Sequence, residues 1–201
     1  MDGFVRVDAY MMKRIRIGSA IKKKKLTIFT IGHSTRRLDE FFELLRANGV
    51  KRVIDIRTIP RSRHNPQFSR DTLGPALRKS GIAYVHLKKL GGLRQAKQAS
   101  VNLGWHNASF RGFADYMETP EFAAGLARAI KLAEAKPSAL MCAEAVPWRC
   151  HRSLVADALV VRGIQVQDIV GKSPPRPHKL TPFARVHGVR ITYPDDKPRA
   201  R

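Results

Sequence analysis

Cysteine is nearly missing from this chain. Cys142 and Cys150 are the two thiols in 201 residues. Two cysteines cannot build a disulfide framework, and reduced thiols fit a cytoplasmic setting. Long apolar runs are missing too, so no segment reads as a membrane span and no membrane partner is expected. Asp2, Arg6 and Asp8 interrupt the start of the chain, which therefore lacks the pattern of a secretory leader. Internal repeats are absent. Acids are scarce, at 16 Asp or Glu against 38 Lys or Arg, giving a formal net charge of +22.

The placement of that charge matters more than its size. Residues 1–26 hold eight Lys or Arg against two acids, and residues 172–201 hold the same. Basic flanks of this kind bind polyanions through counterion release, and they also occur as solubilising tails. The run Lys22 to Lys25 marks a basic, disordered leader over 1–26. Six prolines after Gly171 interrupt every candidate element, so 172–201 reads as an extended basic, proline-rich tail. One domain remains, over 27–171. The 43% hydrophobic content of the whole chain is enough to fill a core at that size.

Within that domain the apolar pattern alternates. LTIFTIG from Leu26 reads as a buried strand, with Ser34 or Thr35 placed to cap the helix carrying Leu38, Phe41, Phe42 and Leu45. KRVIDIR, IAYVHL, the apolar start of ALMCAEA and GIQVQDIV read as further strands. Helices are expected over 71–80, 120–135 and after His151. Lys88 to Phe110 reads as a long loop of the kind that forms lids or binding loops. The order predicts an α/β fold, a three-layer sandwich with a mostly parallel central sheet of about five strands.

The chemistry gathers after the predicted strands, where ligands of such sheets bind. The richest stretch is Ala139–Ala158. Cys142 and Glu144 leave a strand, and Cys150, His151 and Arg152 open a helix. Cys142 reads either as a nucleophile facing a helix N-terminus or as a packing thiol. Glu144 with His33 or His151 suits general acid–base work, and a Glu144–Arg152 ion pair is the alternative use of the carboxylate. Asp55 is the only acid between Lys51 and Arg70, which leaves Arg57 and Arg61 for an anionic ligand. No metal is assigned, because seven residues separate the cysteines and no second ligand pair exists. No cofactor is assigned either. His64, His106, His178 and His187 read as ordinary loop residues.

Four motifs now stand together. TIGHS at 30–34, DIRTIPRSRHNPQF at 55–68, YVHLKKLGG at 84–92 and CAEAVPWRCHRSLVADAL at 142–159 resemble the domain of unknown function 488 family. The resemblance runs from about Thr27 to Val170. It implies an α/β fold and no established reaction. Members often carry a charged or polar residue near the position of Trp148. By position, the signature polar set is His33, Ser34, Asp55, Arg57, Arg61, Ser62, Cys142, Glu144, Cys150, His151 and Arg152. The expected catalytic group is Cys142, Glu144, His151 and His33. The expected binding group is Ser34, Asp55, Arg57, Arg61, Ser62, Cys150 and Arg152. The function expected is hydrolysis or group transfer on a nucleotide, nucleic acid or other phosphorylated substrate. The alternatives are a non-catalytic nucleic-acid-binding module and, more remotely, a metal-binding protein. The partner class is an anionic small molecule or a nucleic acid.

Overall fold

The β-branched run Thr27–Gly32 forms strand β1 near the middle of the sheet, where apolar residues on both faces are an asset. A computed structural model describes residues 25–195. Most of the basic leader lies outside that range. Helix α1 spans Leu38–Ala47, β2 Arg52–Asp55, α2 Arg70–Lys79 and β3 Ala83–His86. Helices α3 (Ala108–Tyr116) and α4 (Pro120–Ala135) follow, then β4 (Ser138–Cys142), α5 (Arg152–Val160) and β5 (Gln165–Ile169). Three short strands close the order: β6 (Arg176–Pro177), β7 (Arg185–His187) and β8 (Arg190–Thr192).

The sheet order is β3-β2-β4-β1-β5-β6, with every pair parallel except β5 and β6. The pleat divides the side chains of β4. Ala139 and Met141 join Phe41, Leu45, Leu73 and Leu77 in a cluster under α1 and α2. Leu140 and Cys142 join Phe113, Leu126, Leu154 and Val155 under α3, α4 and α5. Helices therefore cover both faces, and the protein is a three-layer α/β sandwich.

Local signals set several helix starts. Asn107 caps α3 by accepting from the Ser109 and Phe110 amides at 2.8 and 3.4 Å. Thr119 caps α4, and Pro120 occupies its first position. The expected cap on α1 is not formed: the helix begins at Leu38 behind Arg37, which gives no side-chain cap. Ser34 instead takes a positive φ of 50° in the turn that leaves β1.

The expectation of an extended tail needs correction for residues 172–195. β6 pairs with the sheet edge, where Pro177 costs no ladder donor that the interior needs. β7 and β8 form a hairpin, and Ile191 and Tyr193 are buried. The anchor is polar. Asp157 of α5 accepts from His178, Thr181 and the Tyr193 hydroxyl, at 2.6–3.1 Å. His178 also meets Asp168 of β5 at 3.0 Å, so it is a buried bridge and not an ordinary loop residue. The long 88–110 stretch is likewise tied down at Asn102, whose side-chain Nδ2 donates to Asp115 and whose side-chain Oδ1 accepts from the Tyr193 backbone amide.

Candidate functional site

β1 and β4 are neighbours, yet their following helices leave for opposite faces. α1 packs in one core and α5 in the other. This divergence opens a crevice at the carboxyl ends of the strands, the place where such sheets bind ligands. Gly32 ends β1 at that point. A Cβ there would fall inside the Glu144 carbonyl oxygen, so only glycine lets the two segments approach.

One wall of the crevice is a buried network. Arg57 donates from Nε and Nη2 to the two Asp55 carboxylate oxygens at 2.9 and 2.6 Å. The Tyr84 hydroxyl donates to Asp55 at 2.6 Å, and burial with the nearby carboxylate pushes the phenol pKa up. Arg57 also donates to the Phe68 carbonyl at 2.8 Å and to His33 Nε2 at 3.2 Å. Arginine can only donate, so His33 accepts at Nε2 and carries its proton on Nδ1, which faces the Ser34 carbonyl at 2.8 Å. Burial lowers the His33 pKa to about 4, with Arg57 acting the same way and the Ser34 carbonyl opposing, which keeps the ring neutral. The ring stacks on Phe68 at 4.4 Å between centroids.

The floor holds the two thiols and a second imidazole. His151 Nε2 meets the Ile56 carbonyl at 3.2 Å, which fixes the proton on Nε2. Its Nδ1 then faces both sulfurs, at 3.8 Å from Cys142 Sγ and 3.8 Å from Cys150 Sγ. Phe113 meets the imidazole edge-on, and Gly92 lies so close to it that any Cβ would collide with the ring. A hydrogen bond from Cys150 lowers the Cys142 thiol pKa against the effect of burial, and the Ala143 amide and Arg152 assist. The same bond, with burial, pushes Cys150 up.

Together these walls enclose a cavity of about 380 Å³. Eight of the residues singled out from the sequence line it: His33, Arg57, Arg61, Ser62, Cys142, Glu144, Cys150 and His151. Three do not. Asp55 lies behind Arg57, and Ser34 lies in the turn beyond His33. Arg152 is buried and donates to the backbone carbonyls of Glu144 and Ala145, where the sequence reading allowed an ion pair to the Glu144 side chain. It therefore braces the loop, and the Glu144 carboxylate stands exposed at the cavity wall.

Arg57 spends most of its donors inside the protein. The cations available at the mouth are Arg61 and Arg149, both exposed and neither paired with an acid among the described residues. Arg149 was not among the expected binding residues. Its neighbours in the 147–149 turn hid it, since a lone basic residue in a loop carries no spacing signal. Thr58, Gly92 and Phe110 were missed as well, although a Gly-Gly pair such as Gly91-Gly92 is a signal from which a close backbone approach can be read.

The fold and the crevice define a class: an α/β protein with a mostly parallel sheet and, at its topological switch point, a pocket where titratable side chains converge. Within that class the chain belongs to the family described as Domain of unknown function DUF488, whose model matches residues 37–159. His33 and the rest of the 30–34 motif lie before the matched stretch, and β1 carries them alongside β4. Among curated proteins and among solved structures nothing matches the chain.

Proposed function

We propose that this cavity is the active centre of an enzyme that hydrolyses or transfers a group on a phosphorylated substrate, a nucleotide being the preferred form. The observation that carries the reading is the pairing at one mouth of two unpaired arginines, Arg61 and Arg149, with the exposed Glu144 carboxylate. The guanidinium forks suit phosphate oxygens. In this reading the exposed Glu144 carboxylate moves a proton at the bound group. His33 and Arg57 hold each other and shape the wall, because both ring nitrogens of His33 are engaged.

A second reading is covalent. Cys142 Sγ lies 3.8 Å from His151 Nδ1, which could accept the thiol proton as sulfur attacks the substrate and the leaving group departs. Alkylation of Cys142 that is blocked by a bound nucleotide would favour this route.

The test of the main reading is a panel of nucleoside phosphates and p-nitrophenyl phosphate. Binding and turnover are compared among the parent, Arg61→Ala, Arg149→Ala and Glu144→Gln. Weaker binding in the arginine variants and slower turnover in the glutamine variant are expected. The reading is lost if the parent neither binds nor converts any member of the panel, or if the variants match it throughout.

A further inference from the structure

We propose that Cys142, Cys150 and His151 form a binding site for one zinc ion, with the fourth coordination position open to the cavity. The two sulfurs and the imidazole nitrogen all lie within 4.8 Å of one another. Each sulfur is 3.8 Å from Nδ1. In a tetrahedral site with ordinary Zn–S and Zn–N bonds, the sulfur–nitrogen edge is about 3.6 Å. The two sulfur–nitrogen edges need to shorten by only a few tenths of an ångström, and the sulfur–sulfur edge, which lies within 4.8 Å, must close to about 3.8 Å.

Linear spacing argued against such a site, since zinc ligands usually come in pairs two to four residues apart. The fold removes that objection. Cys142 ends β4, and the chain then turns through residues 143–149 and returns to place Cys150 and His151 at the start of α5. The turn is held closed by Arg152, through the carbonyls of Glu144 and Ala145, and by the Cys150 amide donating to Pro147. Ligands distant in sequence thereby share one floor.

The surroundings suit a metal in a further respect. A metal-bound imidazole usually donates its second N–H to a carbonyl or carboxylate, which fixes the tautomer. His151 already does so, through Nε2 to the Ile56 carbonyl at 3.2 Å. The free Nδ1 lone pair is the one that faces the sulfurs. Gly92 and the edge-on contact with Phe113 hold the ring in place.

Ligand chemistry selects the ion. Two thiolates and an imidazole favour zinc over the oxygen-seeking cations. Binding would release two thiol protons to solvent, and two thiolates would balance the charge of the ion. Among the described residues the cluster stops at three ligands, the pattern of a catalytic site that keeps one position for water or substrate. That position faces the phosphate subsite proposed above. A bound ion would make Cys142 a ligand and so exclude the covalent route. The zinc proposal stands on these three side chains alone, so it can fail while the phosphate reading survives, and the reverse.

The experiment uses the full chain without a histidine tag, grown with zinc. Elemental analysis should find about one zinc per chain. Cys150→Ser and His151→Gln should each lose most of it. The metal-free parent titrated with Co²⁺ should show a thiolate-to-cobalt charge-transfer band. Should a variant fail to fold, alkylation of the parent reads the site directly: both thiols should react slowly when loaded and fast after chelation. A protein that carries no zinc as isolated and gives no cobalt band overturns the proposal. Zinc retained by folded Cys150→Ser and His151→Gln also overturns it, since the ion must then lie elsewhere. A different thiophilic metal on the same three ligands would uphold the site and overturn its assignment to zinc.

Discussion

Gly32 lies directly beneath the carbonyl oxygen of Glu144, with no room for a Cβ between them. The end of β1 and the loop leaving β4 touch backbone to backbone at the switch point. A methyl group at Gly32 must push that carbonyl away, and the nearby Arg152 Nη1 with it. Overpacking of this sort typically costs about 1–3 kcal/mol. Gly32→Ala should therefore lower the denaturation midpoint and also impair ligand binding at the cavity. Chemical denaturation and nucleotide titration of the same variant read the two effects. An unaltered midpoint would remove the close approach from the account.

The Asp55–Arg57 pair should be similarly intolerant of half-removal. Asp55 is fully buried and Arg57 nearly so. Taking away one partner leaves an uncompensated charge, which generally costs about 3–5 kcal/mol. Arg57→Met should destabilise on that order. Arg57→Lys should rescue little, because an ammonium cannot reproduce the fork to both carboxylate oxygens, the Phe68 carbonyl and His33. Urea denaturation of the two variants against the parent checks this, and a lysine variant as stable as the parent would contradict it.

His178 makes stability depend on pH in the alkaline direction. Burial lowers its pKa, but hydrogen bonds and charge from Asp157 and Asp168 outweigh burial and raise it to about 9. The facing groups are those two carboxylates, with the Tyr193 hydroxyl on Asp157 and the Thr30 hydroxyl on Asp168. The folded pKa lies above the unfolded value of about 6.5. The contribution is therefore complete below about pH 6.5 and is lost as pH rises through about 9. The shift corresponds to something on the order of 3 kcal/mol. Thermal melts of the parent from neutral to mildly alkaline pH should show this loss, and His178→Gln should be less stable at neutral pH and flatter across that range. Equal slopes in the two proteins would show that the bridge is not the source.

How much of this could be read from the chain differed by element. The five parallel strands were legible because they are apolar runs ending in polar turns, and a parallel strand buried on both faces needs no alternation. That residues after β1, β2 and β4 would gather around one cavity was legible because topology sends the ends of parallel strands to one edge. The tail was not. Its prolines masked β6, and the bond that anchors it joins His178 to acids on α5 and β5, a long-range pairing that leaves no local pattern. Arg152 was read by charge as a partner for an anion, yet its fork goes to two carbonyls, and backbone acceptors have no signature in sequence.

Trp148 connects the cavity to what lies beside it. Its side chain is 63% exposed, an unusual position for the largest apolar residue in the chain. It adjoins Arg149 in the 147–149 turn and lines a second cavity of about 710 Å³ with Trp105, Phe183, Arg176 and Lys179. If the substrate is a nucleotide, its phosphate can meet Arg61 and Arg149 while the base stacks on the far side of the turn. Stacking of a base on an aromatic ring is worth about 1–3 kcal/mol, or roughly 5- to 150-fold in affinity. Trp148→Ala should weaken nucleotide binding by a factor in that range while leaving inorganic phosphate binding unchanged. The melting temperature should hardly move, since the indole packs little. Fluorescence-independent titration, such as calorimetry, gives all the affinities. Equal loss for phosphate and nucleotide would mean that the turn itself had shifted, and no loss for either would place the base elsewhere.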